Sequence, residues 1–297
     1  MRAFLTGGSG FVGVFLRAHL EDMGDKVVVL EDGIDIAERA LLADAMEDAQ
    51  PEVVFHLAAL TDVASSWKAP AETMRVNTLG TLAVLEAARE LVRRPRVLLV
   101  SSAEVYGGGS GQPLRETDPV RPVTPYAASK AAAELLGLQA VLGRGLEVIV
   151  ARPFNHVGPG QSDAFVVSAL ARRIVEAERA DAKEIRTGNL DAARDFTDVR
   201  DVVRAYRMLA EDGVAGEAYN VASGVAVTMS AVLDELVELA ESPVQPVLDP
   251  ALIRPVDVPI LVGDPEKLRA LTAWTPTVPL KETLADVLGY WRARVRS

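Results

Sequence analysis

The side chains best placed to do chemistry together in this sequence are Tyr126 and Lys130, followed by the glycines of the run TGGSGFVG at residues 6–13. Four residues apart, the phenol and the ammonium share one face of any helix that carries both. A nearby ammonium favours the tyrosinate, which brings a group of reference pKa ~10 towards acid–base work near neutrality. A Tyr and a Lys also meet at this spacing by chance, so the pair needs company. Thr124 offers an N-cap and Pro125 a first helical residue just ahead of Tyr126, so a helix begins where the geometry requires one. Ser101 and Ser102 follow the apolar run 97–100, at the carboxyl end of a strand, where open α/β sheets hold their ligands.

The glycine run fits Gly-x-x-Gly-x-x-Gly through Gly7, Gly10 and Gly13. A tight turn alone would also use glycine. Here the run follows a short apolar strand and opens a helical stretch beginning Phe11-Val12, the setting in which a dinucleotide pyrophosphate lies on a helix N-terminus. Glu31 stands 21 residues after Gly10, close to the ~20 expected of an acid that holds the adenosine ribose. Asp32 beside it keeps a solvated loop acid as the competing reading. A carboxylate here accepts from a 2′-hydroxyl and repels a 2′-phosphate, so NAD(H) is favoured and NADP(H) is the alternative.

The elements that must position these groups are legible as short apolar runs at residues 3–5, 27–30, 53–57, 97–100 and 146–151. They alternate with helical stretches, among them 80–91 and 130–142. This is the pattern of a Rossmann-type, doubly wound parallel sheet in an α/β protein. After Arg152 the rhythm changes, and Pro243, Pro246, Pro250, Pro255 and Pro259 cluster in irregular extended chain. The expected division is a dinucleotide-binding domain over 1–152, with 195–222 returning to it, and a smaller α/β substrate-binding C-terminal domain from 153–194 and 223–297.

With 31 Lys and Arg against 42 Asp and Glu, the net charge is −11, which disfavours nucleic acid and anionic membranes as partners. The absence of cysteine excludes disulfides, thiolate nucleophiles and Cys-ligated metals. Only His19, His56 and His156 are present, too scattered to suggest a metal site. No apolar stretch approaches the ~18 residues of a membrane span, and a cytoplasmic protein is expected.

Taken in order, TGGSGFVG, HLAA at 56–59, Asn77, SSAEVYG at 101–107, PYAASK at 125–130 and RDFTDVRD at 194–201 resemble the extended short-chain dehydrogenase/reductases, the nucleotide-sugar epimerase, dehydratase and reductase family. The resemblance implies a Ser102, Tyr126 and Lys130 triad, with Lys130 on the nicotinamide ribose and Asn77 as a supporting polar group. It also implies Asp35 and Ile36 near the adenine, and Leu57, Ala58, Ala59 and Pro153 along the cofactor. ARPFNHVGPGQ at 151–161 is most similar to the branch that reduces GDP-4-keto-6-deoxy-mannose to GDP-rhamnose, and RPVDVPILVGDPEKL at 254–268 is similar to segments of that branch and of the GDP-mannose 4,6-dehydratases. Dehydratases of the family carry a glutamate base where Glu104 stands, so a 4,6-dehydratase or a 4-epimerase is the alternative within the family. By the same resemblance Arg194 and Arg254 face a GDP-linked diphosphate sugar; Asn155, in the loop that enters the second domain, either faces the sugar or packs its loop, and a second copy in a homodimer is the expected partner chain. A surface ion pair is the competing reading of either arginine.

Among the remaining residues, Arg152, Asp198 and Asp201 read as structural ties, His56 as a satisfied core group, and Trp67, Trp274 and Trp291 as packing. His156 either faces the sugar or packs its loop. A non-catalytic nucleotide sensor on the same fold would have no need of the Ser, Tyr and Lys set.

Overall fold

The computed structural model describes residues 1–108, 111–252 and 258–295. The first half winds through β1 (Arg2–Thr6), α1 (Phe11–Asp22), β2 (Lys26–Val29), α2 (Arg39–Ala49), β3 (Val53–His56), α3 (Val63–Lys68), α4 (Pro70–Met74), α5 (Gly80–Glu90), β4 (Arg96–Val100), α6 (Pro125–Arg144) and β5 (Val148–Pro153). It continues through β6 (Asn155–Val157), α7 (Val166–Ala180), β7 (Glu184–Thr187), β8 (Ala193–Asp198), α8 (Val199–Asp212) and β9 (Ala218–Val221). The last elements are β10 (Ala226–Thr228), α9 (Met229–Glu238), β11 (Gln245–Leu248), β12 (Ile260–Leu261), α10 (Glu266–Thr272) and α11 (Leu280–Arg294).

Six strands form an all-parallel sheet in the order β2-β1-β3-β4-β5-β9. Side chains alternate along each strand, so Leu98 joins one core with α1 and α8, while Val97 and Leu99 join the other with α2, α5 and α6. Both faces are buried, which is why these strands read as unbroken apolar runs. A smaller sheet, β10-β8-β12 with β6 on β8, supports a third core with α7, α9 and α11. β8 belongs to this smaller sheet, and the chain returns to the larger one with α8 and β9. Trp274, beyond α10, is fully buried in the α8 core and donates through Nε1 to the Asp201 carbonyl at 3.0 Å, so this stretch packs on the larger sheet. The sequence division grouped it with the smaller unit.

Two buried carboxylates fasten the second half. Asp195 accepts from the backbone N–H groups of Ser223 (2.8 Å), Gly224 (2.9 Å) and Gly263 (3.2 Å), drawing β8 and two loops together. Asp201 accepts from the N–H groups of Thr277 (2.8 Å) and Val278 (2.9 Å). Asp198, which caps α8 through the Arg200 N–H at 2.7 Å, and Asp201 are structural ties as the sequence suggested; Asp195 is one that it did not single out.

His56 closes a directional hydrogen-bond chain inside the larger unit. The Thr81 hydroxyl donates to the Asn77 carbonyl at 2.7 Å, so it accepts from His56 Nε2 at 3.0 Å. The Thr6 hydroxyl then donates to Nδ1 at 2.8 Å and accepts from the Ala58 N–H at 3.3 Å. Every member is satisfied only with the ring neutral. Burial, with the Lys130 charge adding to it, pushes the His56 pKa down to about 3 from 6.5. Because the folded value is depressed, unfolded chains bind more protons between these limits, and stability falls as pH drops through that window. We expect a slope of up to ~1.4 kcal/mol per pH unit from this residue. Urea unfolding between neutral pH and pH ~4.5 should show a flatter dependence in His56→Gln than in wild type; equal slopes would mean that His56 is not the group excluded from protonation.

Candidate active site

The turn from β1 into α1 is shaped by close backbone contacts. Gly7 has φ +72°, and a Cβ there would lie 2.8 Å from the Ala58 nitrogen. A Cβ on Gly13 would lie 2.2 Å from the Gly7 carbonyl oxygen, and one on Gly8 would lie 2.5 Å from Val29 Cγ1. Glycine is therefore required for α1 to pack on the strand ends. Gly10 is the N-cap, and no side chain caps the helix, which leaves the N–H groups of its first turn, at Phe11, Val12 and Gly13, for an anion. Leu57, Ala58 and Ala59 continue from β3 alongside this loop, half exposed. At the end of β4, the buried Ser101 Oγ has no hydrogen-bond partner among the described residues. A backbone cradle that side chains would fill, an uncapped helix end and an orphaned hydroxyl fit a nicotinamide dinucleotide lying across the strand ends.

Beyond β2, Glu31 and Asp32 are exposed, and Asp32 accepts from Ser9 Oγ of the glycine loop at 2.6 Å. Asp35 pairs with Arg75 at 2.6 Å and accepts from the Ala37 N–H at 3.0 Å. Ile36 is buried in the core, its Cγ2 lying 2.6 Å from where a Cβ on Gly80 would sit.

The catalytic candidates converge at the ends of β4 and α6. Thr124 caps α6, its hydroxyl accepting from the Ala127 N–H at 3.0 Å, with Pro125 in the first turn. Ser66 adds a second cap from α3, accepting from the Tyr126 N–H at 3.2 Å. The buried Tyr126 phenol is pushed up to about 12 by desolvation, opposed by a hydrogen bond with the Ser102 side chain and reinforced by the Glu104 charge. Glu104 lies in a 3₁₀ turn, Ala103–Tyr106, whose N-cap is Ser102; the Ser102 hydroxyl accepts from the Glu104 N–H at 3.2 Å. Lys130 is buried and donates to the Val100 carbonyl at 2.8 Å. Desolvation brings its pKa down to about 8, and the Glu134 carboxylate works against that shift.

One expectation is corrected here. From the spacing, Lys130 was expected to lower the phenol pKa, yet the shift is upward and Lys130 is not among its causes. The ammonium is aimed at the end of β4, and burial penalises both charged forms, tyrosinate and ammonium alike.

Asn77 sits in a π-helical turn, Arg75–Leu79, between α4 and α5. Its side chain pairs with Leu60, accepting from the N–H at 2.7 Å and donating to the carbonyl at 3.0 Å, and it donates to Ser129 Oγ of α6 at 2.9 Å. Spacing alone does not signal this turn, nor the cap from Ser66.

Pro153 ends β5, and β6 follows with Asn155, whose side chain has no hydrogen-bond partner among the described residues. His156 stacks on Phe11 of α1, with centroids 6.1 Å apart and planes at 6°, so its loop packs against the phosphate-loop helix. Its Nδ1 lies 3.2 Å from the Phe154 carbonyl, an acceptor, and therefore carries the proton. Arg194 donates to the carbonyls of Ala193 (2.9 Å) and Val258 (2.7 Å). Arg254 lies outside the described residues. Trp274 packs as expected and Trp291 is half-buried, but Trp67 is 55% exposed on α3, because that six-residue helix turns only one face to α6. Among the described residues, no group of three or more His, Cys, Asp or Glu is placed to hold a metal ion, and no helix is long and apolar enough to cross a membrane.

Residues 32–287 match the family model of GDP-mannose 4,6 dehydratase. The chain is 38% identical to the GDP-6-deoxy-D-mannose reductase of Pseudomonas aeruginosa, covering 99% of this chain and 98% of that protein. It is 30% identical to the GDP-6-deoxy-D-talose 4-dehydrogenase of Aggregatibacter actinomycetemcomitans, covering 90% of each. Of the solved structures, that of RMD from Pseudomonas aeruginosa complexed with NADPH matches with a TM-score of 0.92 at 36% identity, over 99% of this chain and 100% of that one. Strand order, glycine loop and relatives of full length agree, and the chain belongs to the GDP-mannose 4,6-dehydratase family of extended short-chain dehydrogenase/reductases, the NAD(P)-dependent oxidoreductases of nucleotide sugars.

Proposed function

We propose that this chain is a reductase acting on the C4 carbonyl of a nucleotide-linked 4-keto-6-deoxyhexose, with GDP-4-keto-6-deoxy-mannose as substrate and GDP-rhamnose as product. The observation that carries the reading is the convergence of Tyr126, Ser102 and Lys130 at the ends of β4 and α6, with the Ser102 side chain hydrogen-bonded to the phenol. Reduction consumes a proton, and Tyr126 is the group placed to supply one to the C4 oxygen. The similarity to a GDP-6-deoxy-D-mannose reductase over the full chain supports the same choice.

A reduced nicotinamide held along the glycine loop would supply the hydride to the carbonyl carbon. Ser102 hydrogen-bonds the carbonyl oxygen, Tyr126 transfers its proton to that oxygen as it becomes an alkoxide, and Lys130 holds the nicotinamide ribose. The larger unit binds the dinucleotide along the glycine loop, Leu57, Ala58, Ala59, Asn77 and Pro153. Asn155, Arg194 and Arg254, from the smaller unit, bind the GDP diphosphate. Glu104, close enough for its charge to act on the phenol, orients the sugar; in the dehydratase reading it is the base at C5.

Three experiments follow from this reading. Purified protein given GDP-4-keto-6-deoxy-mannose should oxidise one reduced cofactor per sugar, and Tyr126→Phe should lose ~10²–10⁴ of that rate while still binding cofactor. Conversion of GDP-mannose to a keto sugar without added reduced cofactor, abolished in Glu104→Gln, would establish the dehydratase instead.

The acids at the end of β2 support NAD(H) over NADP(H), since a 2′-phosphate brought there meets Glu31 beside Asp32. Dissociation constants for NADH and NADPH should favour NADH, with the gap narrowed in Glu31→Ser; tighter NADPH binding by wild type would overturn the assignment.

A homodimer is supported by exposed Leu79 and Leu82 near the start of α5 and by exposed Leu135, Leu138 and Leu142 along neighbouring α6. Such a stripe at helical spacing is an unpartnered apolar face. Light scattering should give twice the chain mass of 31.7 kDa for wild type and the single mass for Leu138→Lys/Leu142→Lys; a monomeric wild type would reject the dimer.

A further inference from the structure

We propose that Glu134, clamped by Arg152, is a positioning residue that keeps the Lys130 side chain charged and registers the catalytic helix on the turn carrying Ser102 and Glu104. Tyr126, Lys130 and Glu134 stand on successive turns of one face of α6. Arg152 of β5 grips Glu134 as a fork, Nε to Oε1 at 2.9 Å and Nη2 to Oε2 at 2.6 Å, with the two side chains only 7% and 10% exposed. Its remaining nitrogen, Nη1, donates to Tyr106 Oη at 2.9 Å, and the guanidinium lies 5.0 Å from the Tyr106 ring centroid. Tyr106, the last residue of the 3₁₀ turn, donates in turn to Asn220 Oδ1 on β9 at 2.8 Å. One arginine thus joins the helix of Tyr126 and Lys130 to the turn of Ser102 and Glu104.

A buried ion pair seldom adds stability over apolar side chains of the same volume. Its effect on a neighbouring charge is another matter. Lys130 is buried one turn from Glu134, and this carboxylate is the charged group that works against its desolvation. Around Lys130, His56 of β3 is held neutral and the Tyr126 phenol keeps its proton, so neither supplies a counter-charge in the neutral range. Glu104 acts on the phenol, and Arg152 is bound to Glu134 itself. Loss of the Glu134 charge leaves the ammonium only its hydrogen bond to the Val100 carbonyl against desolvation, and it gives up its proton at lower pH.

This inference rests on the reading that Lys130 holds the nicotinamide ribose. It is tested by NADH binding, followed by fluorescence from pH 6 to 10 on the full chain, beside the alkaline limb of keto-sugar reduction. Wild-type binding should weaken through a midpoint set by Lys130. Glu134→Gln should move that midpoint down by roughly one pH unit, and Glu134→Asp, which keeps the charge, should leave it near wild type. Glu134→Gln/Arg152→Gln replaces two charges by two hydrogen-bonding amides and should also move it down, which supplies the measurement if the single variant fails to fold. An unmoved midpoint in a folded variant lacking the Glu134 charge, or an equal shift in Glu134→Asp, overturns the proposal. Shifted midpoints in a protein that reduces no keto sugar would reject the reductase reading and leave this one standing.

Discussion

The closeness with which α1 can approach the strand ends governs the rest of the site. Gly7, Gly8 and Gly13 bring three segments together backbone to backbone, and a methyl group on Gly13 would collide with the Gly7 carbonyl at 2.2 Å. Only at this separation does the uncapped helix end face the carboxyl edge of the sheet, beside the chain leaving β3. The Ala58 nitrogen that limits Gly7 is also bonded to Thr6 Oγ1 at 3.3 Å. The loop, β1 and β3 therefore share one set of contacts, and a change in any of them would move the others.

Behind that edge, specificity of position comes from buried polar groups that are paired in one direction only. The chain from Ala58 through Thr6, His56 and Thr81 to the Asn77 carbonyl fixes a tautomer, and the Asn77 side chain imitates a backbone amide against Leu60. The π-helical turn has a physical use here. Its wider winding interrupts the helix between α4 and α5 at the residue that must reach both the chain after β3 and Ser129 of α6. Unpaired groups in so dry a setting would be costly, so the arrangement has few alternatives.

Much of this was legible in the sequence because it rests on local rules. Apolar runs buried on both faces identify the larger sheet, Thr124-Pro125 marks the start of α6, and the glycine spacing marks the phosphate loop. The smaller sheet was illegible for the opposite reason. β8 carries Arg194, Asp195 and Asp198 among its six residues, β10 has three residues and β12 two, so neither an apolar run nor an alternation signals them. Trp274 and Ser66 act through partners far away in sequence, which no periodicity reveals. The direction of the Tyr126 pKa also escaped, since spacing supplies the neighbouring ammonium but not the depth of burial that outweighs it.

Desolvation acts on both titratable groups of α6 and explains why they need different companions. It raises the phenol and lowers the ammonium, so the protonated phenol is kept without help while the ammonium is not. Transfer of the Tyr126 proton to a developing alkoxide would then leave a phenolate that the same burial disfavours. The Ser102 hydrogen bond opposes that cost, and Lys130 keeps its charge for the nicotinamide ribose. The charge of Lys130 near neutrality is favoured by its bond to the Val100 carbonyl and by Glu134, the carboxylate that works against its desolvation. Arg152 in turn makes a buried Glu134 tolerable as an anion by meeting both of its oxygens. The sequence of dependence runs outward from the reacting oxygen to Tyr126, Lys130, Glu134 and Arg152, and Arg152 returns it through Tyr106 to the turn on which Ser102 sits.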